Sequence, residues 1–246
     1  MKAYYNGRYY DSEKLSQAEK ERLCDEVPRI YYKIFPCSTD QVAQNASDYS
    51  IFQIYYDEKS KARIDCNLKP YENTASRNYE NDVIMAVWDK ALFDYKSRYV
   101  GVLSWRFAEK TGHSGFDLIN ALDKMKADAV VLFPKIYKDY KHPYCKVGFT
   151  SVIEMTRIID AAKIFPFKLE GYKTKQNVWC NYWVARPAIF DDYCRRYLKP
   201  CMDILNDLDF KEMHRGKLVP SNTFFYEGLF SVYLTQEKIN FKTLVW

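Results

Sequence analysis

The sequence holds little of what several large enzyme classes require. Only 8 of its 246 residues are glycine, and neither a G-x-G-x-x-G nor a G-K-[ST] motif occurs. Those motifs enclose the phosphates of dinucleotides and nucleoside triphosphates, so their absence argues against Rossmann dehydrogenases and P-loop enzymes. The chain has 3 histidines and no H-x-x-x-H pair. A histidine-based metal centre is therefore not indicated.

Long apolar runs and paired cysteines are also missing. The longest apolar runs fall far short of the roughly 20 residues that a transmembrane helix needs. The 7 cysteines are scattered without a C-x-x-C pair, and the N-terminus shows no signal-peptide pattern. We therefore expect reduced thiols and a cytoplasmic protein without a transmembrane segment.

The charge and the aromatic content are the notable features that remain. The net charge of +5 is mild and dispersed, which suits an anionic small ligand and is too weak to indicate nucleic acid by itself. Aromatic residues make up 17% of the chain, with 22 tyrosines. Tyrosine suits both sites that stack on sugars or bases and the rim of an ordinary core, so both interpretations stay open.

Predicted strands alternate with predicted helices, which is typical of an α/β fold. The predicted strands cover residues 29–35, 50–57, 99–105, 127–134 and 178–185, and residues 240–246 close the chain as a strand or tail. The predicted helices cover the segment from Tyr79 with Asn78 as N-cap, and residues 114–126, 150–163, 187–208 and 222–234. Residues 135–148 are predicted to be an aromatic and basic loop.

The first 27 residues differ from the rest of the chain. They predict a small hairpin around Asn6-Gly7, followed by a polar helix over residues 12–26. We therefore predict an N-terminal extension over residues 1–27 and one domain over residues 28–246.

Charged side chains follow several of the predicted strands. Asp57, Arg106 and Lys135 each come at or just after a strand's carboxyl end, where ligands of open α/β sheets bind. Arg106 and Lys110 are candidates for binding phosphate, because a guanidinium binds phosphate oxygens in pairs and an ammonium adds a point charge. Trp105 either covers a nucleobase or sugar face or is a core indole.

Few other residues indicate a catalytic centre. Glu227 is a carboxylate in an otherwise apolar helix, so it is either the partner of an arginine or a general base with a raised pKa. The D-x-D motif Asp207-Leu208-Asp209 ends a predicted helix and is interpreted as a solvated helix end. No Ser/His/Asp set is indicated, and Cys180 is expected to be inert in a buried strand.

Four ordered segments of this sequence resemble a bacterial glycosyltransferase-like family associated with capsular polysaccharide synthesis. They are RNYENDVIMAVWDK (77–90), RYVGVLSWRF (98–107), CNYWVARPAIFDDYCRRYL (180–198) and FFYEGLFSVYL (224–234). The sequence departs from the family at two places. The family's His-Tyr-Arg-Arg stands here as Ser104-Trp105-Arg106-Phe107, and its Glu-Arg-Leu as Glu227-Gly228-Leu229.

The resemblance implies a GT-A-like fold, with a mixed sheet flanked by helices in one domain. It implies a transferase that moves a sugar from a nucleotide-sugar donor to a glycan, such as a surface polysaccharide. Asn78 and Glu80 are implied to line the donor pocket with Trp105, Arg106 and Lys110. Asn181 and Glu227 are implied to border the acceptor side, and Trp183 is a further candidate for contact with the acceptor. A lipid-linked acceptor would place the protein at the inner membrane face.

The chemistry of such a transfer assigns further roles. Cations fixed beside the departing diphosphate lower the barrier. They are either a divalent ion, Mn²⁺ or Mg²⁺, on isolated carboxylates, or the side chains Arg106 and Lys110. An inverting reaction needs a carboxylate that takes the acceptor's proton. Glu227 is the first candidate for this base and Asp57 the second.

Two other functions are compatible with the sequence. One is a transferase that glycosylates a modified DNA base. The net charge of +5 and the basic loop support this alternative. Its DNA affinity would fall steeply with added salt. The other is a glycan-binding or assembly protein without catalysis, for which the missing D-x-D at a strand end and the altered His-Tyr-Arg-Arg motif speak. Turnover of any nucleotide sugar would exclude it.

Overall fold

A computed structural model describes residues 2–5, 8–11, 42–73, 78–132, 134–141, 150–178, 180–214 and 217–244. The strands of this part are β1 (Lys2–Tyr5), β2 (Arg8–Asp11), β3 (Ser50–Tyr55), β4 (Lys69–Glu72), β5 (Val100–Ser104), β6 (Ala129–Val131), β7 (Pro134–Lys141), β8 (Thr174–Val178), β9 (Trp183–Ala185), β10 (Lys211–His214), β11 (Lys217–Pro220) and β12 (Phe241–Thr243). The helices are α1 (Glu58–Lys61), α2 (Glu80–Asp89), α3 (Phe107–Thr111), α4 (Gly115–Asp123), α5 (Thr150–Ala161), α6 (Pro187–Tyr193), α7 (Lys199–Leu205) and α8 (Asn222–Gln236), with a 3₁₀ turn at Ala46–Asp48 and a π turn at Cys194–Leu198.

The central feature is a six-stranded mixed sheet in the order β12-β6-β9-β5-β3-β4. Strand β9 runs antiparallel to both of its neighbours, β5 and β6, while β3 is parallel to β4 and β5, and β12 is parallel to β6. The carboxyl ends of the parallel strands therefore meet at one edge, together with the amino end of β9. The predicted α/β class is confirmed, and a mixed sheet flanked by helices is consistent with a GT-A-like fold.

Apolar side chains cover both faces of this sheet, because successive residues of a strand point to opposite sides. On one face Val100 and Val102 pack in a cluster with residues of α2, α5, α6, α7 and α8. On the other face Leu103 and Val130 pack with Leu118 of α4. Such double coverage explains why the strands are almost continuously apolar.

Two sequence predictions about strands are wrong. The strand predicted over residues 178–185 is divided, since β8 pairs with β7 and β9 lies in the central sheet. The break falls at Cys180 and Asn181, whose backbone φ angles of 57° and 54° are incompatible with a strand. The loop predicted over residues 135–148 begins instead as β7, which pairs antiparallel with β8.

The helices agree better with the sequence. Ser114 caps α4 through a capping box with Asp117, and Pro187 stands in the first turn of α6. The long helix predicted over residues 187–208 contains a π turn just before Pro200, which has no N–H to donate to the preceding turn. The N-cap of α2 is Tyr79 and not Asn78, so that prediction is wrong.

Several sequence predictions concern the N-terminal residues, of which the structure describes only a part. The hairpin around residues 6 and 7 is confirmed by the antiparallel pairing of β1 with β2. The polar helix over residues 12–26, the strand over residues 29–35 and the domain boundary after residue 27 lie outside the described residues, and they stay predictions. Within the described part, none of the helices combines the length and the apolar character needed to cross a bilayer.

Candidate active site

The carboxyl end of β5 positions two cations one turn apart. The Arg106 N–H donates to the Ser104 Oγ over 3.1 Å, and the Lys110 N–H donates to the Arg106 carbonyl over 2.8 Å. Phe107 anchors this short helix, because its buried ring meets the Tyr182 ring edge-on at 5.6 Å. Residues four apart lie on the same side of a helix, so Arg106 and Lys110 project from the same side of this turn.

Lys110 lies among groups that stabilise its charge. Its Nζ is 5.1 Å from the centroid of the Tyr182 ring, and it hydrogen-bonds the Cys180 side chain. Burial lowers the pKa of Lys110, but Tyr182, Cys180 and the Glu80 carboxylate outweigh burial and raise that pKa above its ordinary value. Lys110 is therefore an ammonium ion at neutral pH.

Two carboxylates lie within electrostatic range of this ammonium. Burial raises the pKa of Glu227 to about 7; the Glu80 carboxylate adds to this rise, while the Cys180 N–H and Lys110 oppose it. The Cys180 N–H donates to Glu227 Oε2 over 3.3 Å. Burial also raises the pKa of Glu80, again against Lys110. Glu227 therefore exchanges its proton near neutral pH.

Helices α2 and α8 bring these two carboxylates together. The Asn81 side-chain amide donates to the Asn78 carbonyl over 3.3 Å and to Thr223 Oγ1 over 3.4 Å. Thr223 Oγ1 in turn donates to the Asn78 carbonyl over 3.5 Å. Glu80 is the residue before Asn81, and Glu227 lies one turn after Thr223. This polar contact therefore joins the starts of the two helices that carry Glu80 and Glu227.

Strained backbone borders this cluster. Tyr79, Cys180 and Asn181 have φ angles of 51°, 57° and 54°, a region that costs free energy for residues other than glycine. Asn181 is fully buried, and within the described part of the chain neither polar atom of its side chain has a hydrogen-bond partner. Strain and unsatisfied polar groups of this kind concentrate at functional sites.

Arg106 and Trp105 lie at the outer side of the cluster. Arg106 donates to both carboxylate oxygens of Glu109, over 2.6 and 3.2 Å, and Arg63 reaches Glu109 over 3.2 Å. The Arg63 and Arg106 guanidinium carbons are 5.0 and 5.7 Å from the Trp105 ring centroid. The Arg106 side chain is 41% exposed. The Trp105 indole is therefore flanked by two arginines, of which the sequence analysis had singled out only Arg106.

Two other predicted site residues, Asn78 and Asp57, are held by hydrogen bonds within the protein. The Asn78 N–H and side-chain amide donate to Asp82 over 2.8 and 2.9 Å, and the amide also donates to Asn206 over 3.1 Å. Asp57 is exposed and caps α1, accepting from the Ser60 N–H over 2.7 Å, and the Ser60 hydroxyl lowers the pKa of Asp57. The predicted ligand contacts of both residues stay predictions. Neither side chain takes part in the contacts described above around Lys110.

Trp183, predicted to face the acceptor, is a core residue. Its side chain is 1% exposed and stacks on Phe230 with ring centroids 3.7 Å apart. An acceptor would reach this indole only if the core opened, so its predicted role stays a prediction without a supporting contact.

Metal ligation finds little support among the described side chains. In that part of the chain no group of three or more His, Cys, Asp or Glu residues is arranged to hold a metal ion. Asp207 and Asp209 are exposed, and Asp209 forms an ion pair with Lys211 at 2.6 Å. The D-x-D motif is therefore in the solvated position that the sequence indicated.

The sequence reasoning also missed Tyr56 and Asn73. Each directly follows the last residue of a parallel strand, β3 or β4, at the edge that carries Lys110. The same strand-end argument that singled out Arg106 would have found them.

Comparison with known proteins gives a limited result. No family model and no curated protein matches the chain. Among solved structures, an apo structure of the bifunctional glycosyltransferase WbbM is similar, with a TM-score of 0.45 and 12% sequence identity. The match covers 80% of this chain and 44% of the other, so the chain spans less than half of that protein's length.

Proposed function

We propose that the protein is a glycosyltransferase that moves a sugar from a nucleotide-sugar donor to a hydroxyl group of a glycan, free or lipid-linked. One observation carries the proposal: Glu227 and Lys110 both contact Cys180 at the carboxyl edge of the sheet, and burial raises the pKa of the Glu227 carboxyl group to about 7. The ordered segments of the polysaccharide-type transferase family support the same activity.

Glu227 is suited to act as the general base. A base works best when its pKa lies near the working pH, because it is then both largely available and strong enough to accept a proton. Burial brings the pKa of Glu227 to about 7. As the acceptor oxygen attacks the anomeric carbon, its proton passes to the Glu227 carboxylate, and the bond from that carbon to the donor's phosphate oxygen breaks.

Lys110 and Arg106 are suited to bind the departing nucleoside diphosphate. Negative charge develops on the diphosphate as the bond breaks, and a fixed ammonium stabilises it without reorganisation. Arg106 lies one turn away on the same helix and is more exposed. Binding of a phosphate by Arg106 would compete with its ion pair to Glu109.

We further propose that these side chains, and not a divalent cation, stabilise the leaving group. A Mn²⁺ or Mg²⁺ ion on Glu80 and Glu227 would lie beside the Lys110 ammonium, and the repulsion between like charges disfavours it. Both carboxyl groups would also have to be ionised to bind the ion, whereas burial raises the pKa of each of them. The donor set therefore fits a divalent ion poorly.

The test combines binding with turnover. UDP, GDP and a panel of UDP-, GDP- and dTDP-sugars are screened by thermal shift, with manganese and with EDTA. A binding nucleotide raises the melting temperature. We expect Lys110→Met to weaken nucleotide binding by at least about tenfold, and Glu227→Gln to keep binding while turnover falls by roughly 10²–10⁴-fold.

The matched control is Lys199→Met. Lys199 is exposed on α7, where it pairs with Asp203 at 2.6 Å outside the cluster. This variant should bind and turn over as the unmodified protein does. Wild-type turnover by Glu227→Gln, or binding of no nucleotide sugar, would refute the proposed activity. Turnover that requires manganese would refute the assignment to Lys110 and Arg106 alone.

A further inference from the structure

We propose that Tyr56 and Tyr79 form the platform on which a pyranose ring of the acceptor stacks. The inference rests on the proposed function, because it assigns the acceptor side of the same site. Both rings are accessible, with 36% of Tyr56 and 42% of Tyr79 exposed. Exposed aromatic rings beside polar groups are the usual means by which proteins hold the apolar face of a sugar.

Asn73 fixes the positions of both tyrosines. This residue is 8% exposed, and its N–H donates to the Tyr55 carbonyl over 2.8 Å. Its side-chain amide donates to the Tyr79 carbonyl over 3.4 Å and hydrogen-bonds the Tyr56 hydroxyl. The Tyr56 N–H is held separately by Ser60 Oγ over 2.9 Å. One buried amide therefore holds the Tyr56 ring through its hydroxyl and the Tyr79 backbone through its carbonyl.

The platform borders the proposed catalytic groups. Tyr79 directly precedes Glu80 and has a φ angle of 51°, a conformation that a tyrosine rarely adopts. The Tyr56 hydroxyl has a pKa raised by burial and then by Glu80, and Tyr79 and Lys110 also act on it. All four groups thus lie within electrostatic range of one another.

The charges around the rings favour a sugar over a phosphate or a nucleobase. Sugar hydroxyls are hydrogen-bond donors, and the Glu80 carboxylate, which acts on the Tyr56 hydroxyl and directly follows Tyr79, is an acceptor beside the rings. A phosphate group would instead be attracted to the guanidinium groups that flank Trp105. Trp105, flanked by the guanidinium groups of Arg63 and Arg106, is the aromatic ring placed for an anionic nucleotide. We therefore assign the two tyrosines to the acceptor, which is neutral and rich in hydroxyl groups.

Saturation-transfer NMR on the intact protein tests this assignment. The probes are the methyl glycosides of glucose, galactose, mannose and N-acetylglucosamine, with UMP measured separately. We expect at least one glycoside to bind, and Tyr56→Ala and Tyr79→Ala each to weaken that binding by about tenfold. The phenylalanine variants should keep most of the binding, because the stacking ring remains.

Tyr95→Ala is the matched control, since Tyr95 is 63% exposed and packs on Phe93 at 4.9 Å, away from the cluster. It should bind glycosides as the unmodified protein does. Equal glycoside binding by the Tyr56→Ala/Tyr79→Ala variant, no glycoside binding by the wild type, or loss of UMP binding alone in that variant would each overturn the platform. These readouts need no turnover, so they fail independently of the Glu227 and Lys110 tests.

Discussion

Burial raises the pKa of the Glu227 carboxyl group to about 7, so this group titrates near neutral pH. A carboxylate with a purely structural role would be paired with an arginine or lysine and would have a lowered pKa. Glu227 instead receives one N–H from Cys180 and is opposed by Glu80. Its surroundings therefore favour the exchange of a proton over a fixed ion pair.

This arrangement predicts a stability effect that is independent of any substrate. The pKa of Glu227 rises from 4.5 to about 7 on folding, so the folded protein binds more protons than the unfolded chain between these pH values. Stability conferred by the protonated group is then present below pH 4.5 and lost as the pH rises to about 7. The loss is on the order of 3 kcal/mol.

Glu227→Gln removes this titration. At pH 8 we expect the melting temperature of the variant to lie several degrees above that of the wild type, as a free-energy difference of this size implies. Between pH 5 and 8 its melting temperature should also depend less on pH. Differential scanning calorimetry across that range measures both curves. Parallel curves for the two proteins would contradict a raised pKa at Glu227.

Among the elements, α2 and α8 depend on a polar contact that no hydrophobic pattern reveals. The Asn81 amide joins the Asn78 carbonyl to Thr223 Oγ1 and has no access to solvent. Removing one partner of such a buried contact costs about 1–3 kcal/mol. It also lets the two helix starts separate, which would weaken the influence of Glu80 on Glu227.

Asn81→Leu tests this link between element packing and site chemistry. We expect this variant to be less stable, and we expect the pKa of its Glu227 to fall from about 7 toward the ordinary value. An NMR titration of the Glu227 carboxyl carbon measures that pKa. The control is Ser97→Ala, which breaks the 2.8 Å contact between the Ser97 and Ser50 hydroxyls elsewhere in the sheet. That variant should lose stability while the titration of Glu227 stays unchanged. An unchanged titration in Asn81→Leu would show that the contact does not set the carboxylate separation.

The sequence indicated the elements better than their contacts. The alternation of predicted strands and helices located β5, α4 and α8, and the strand-end argument singled out Arg106, whose role in a site stays a prediction. It did not find the break between β8 and β9, because the positive φ angles of Cys180 and Asn181 leave no signature in residues that are neither glycine nor proline. The pairing of Glu80 with Glu227 depends on contacts between residues more than 140 positions apart, which a local pattern does not contain.

For the whole molecule, β9 is the strand that joins the two halves of the sheet and carries the site. It runs antiparallel between β5 and β6, and the segment just before it contains Cys180, Asn181 and Tyr182. Its contact with β5 is close. A β-carbon at Gly101 would lie 2.7 Å from Val184 Cγ1 and 2.8 Å from the Trp183 carbonyl oxygen. Real β-carbons do not approach other atoms this closely, so one of the two strands would have to move.

Gly101→Ala is therefore expected to destabilise the fold by about 1–3 kcal/mol and also to shift the segment that donates to Glu227. Chemical denaturation measures the first effect and the NMR titration of Glu227 the second. Val102→Ala is the control, because Val102 is the next residue of β5 and its buried side chain packs on the opposite face, so its loss leaves a cavity without displacing β9. If Gly101→Ala and Val102→Ala lose similar stability and only Gly101→Ala alters the pKa of Glu227, then β9 couples the centre of the sheet to the site. An equal change in both titrations would mean that general loosening of the core, and not the position of β9, controls the carboxylate.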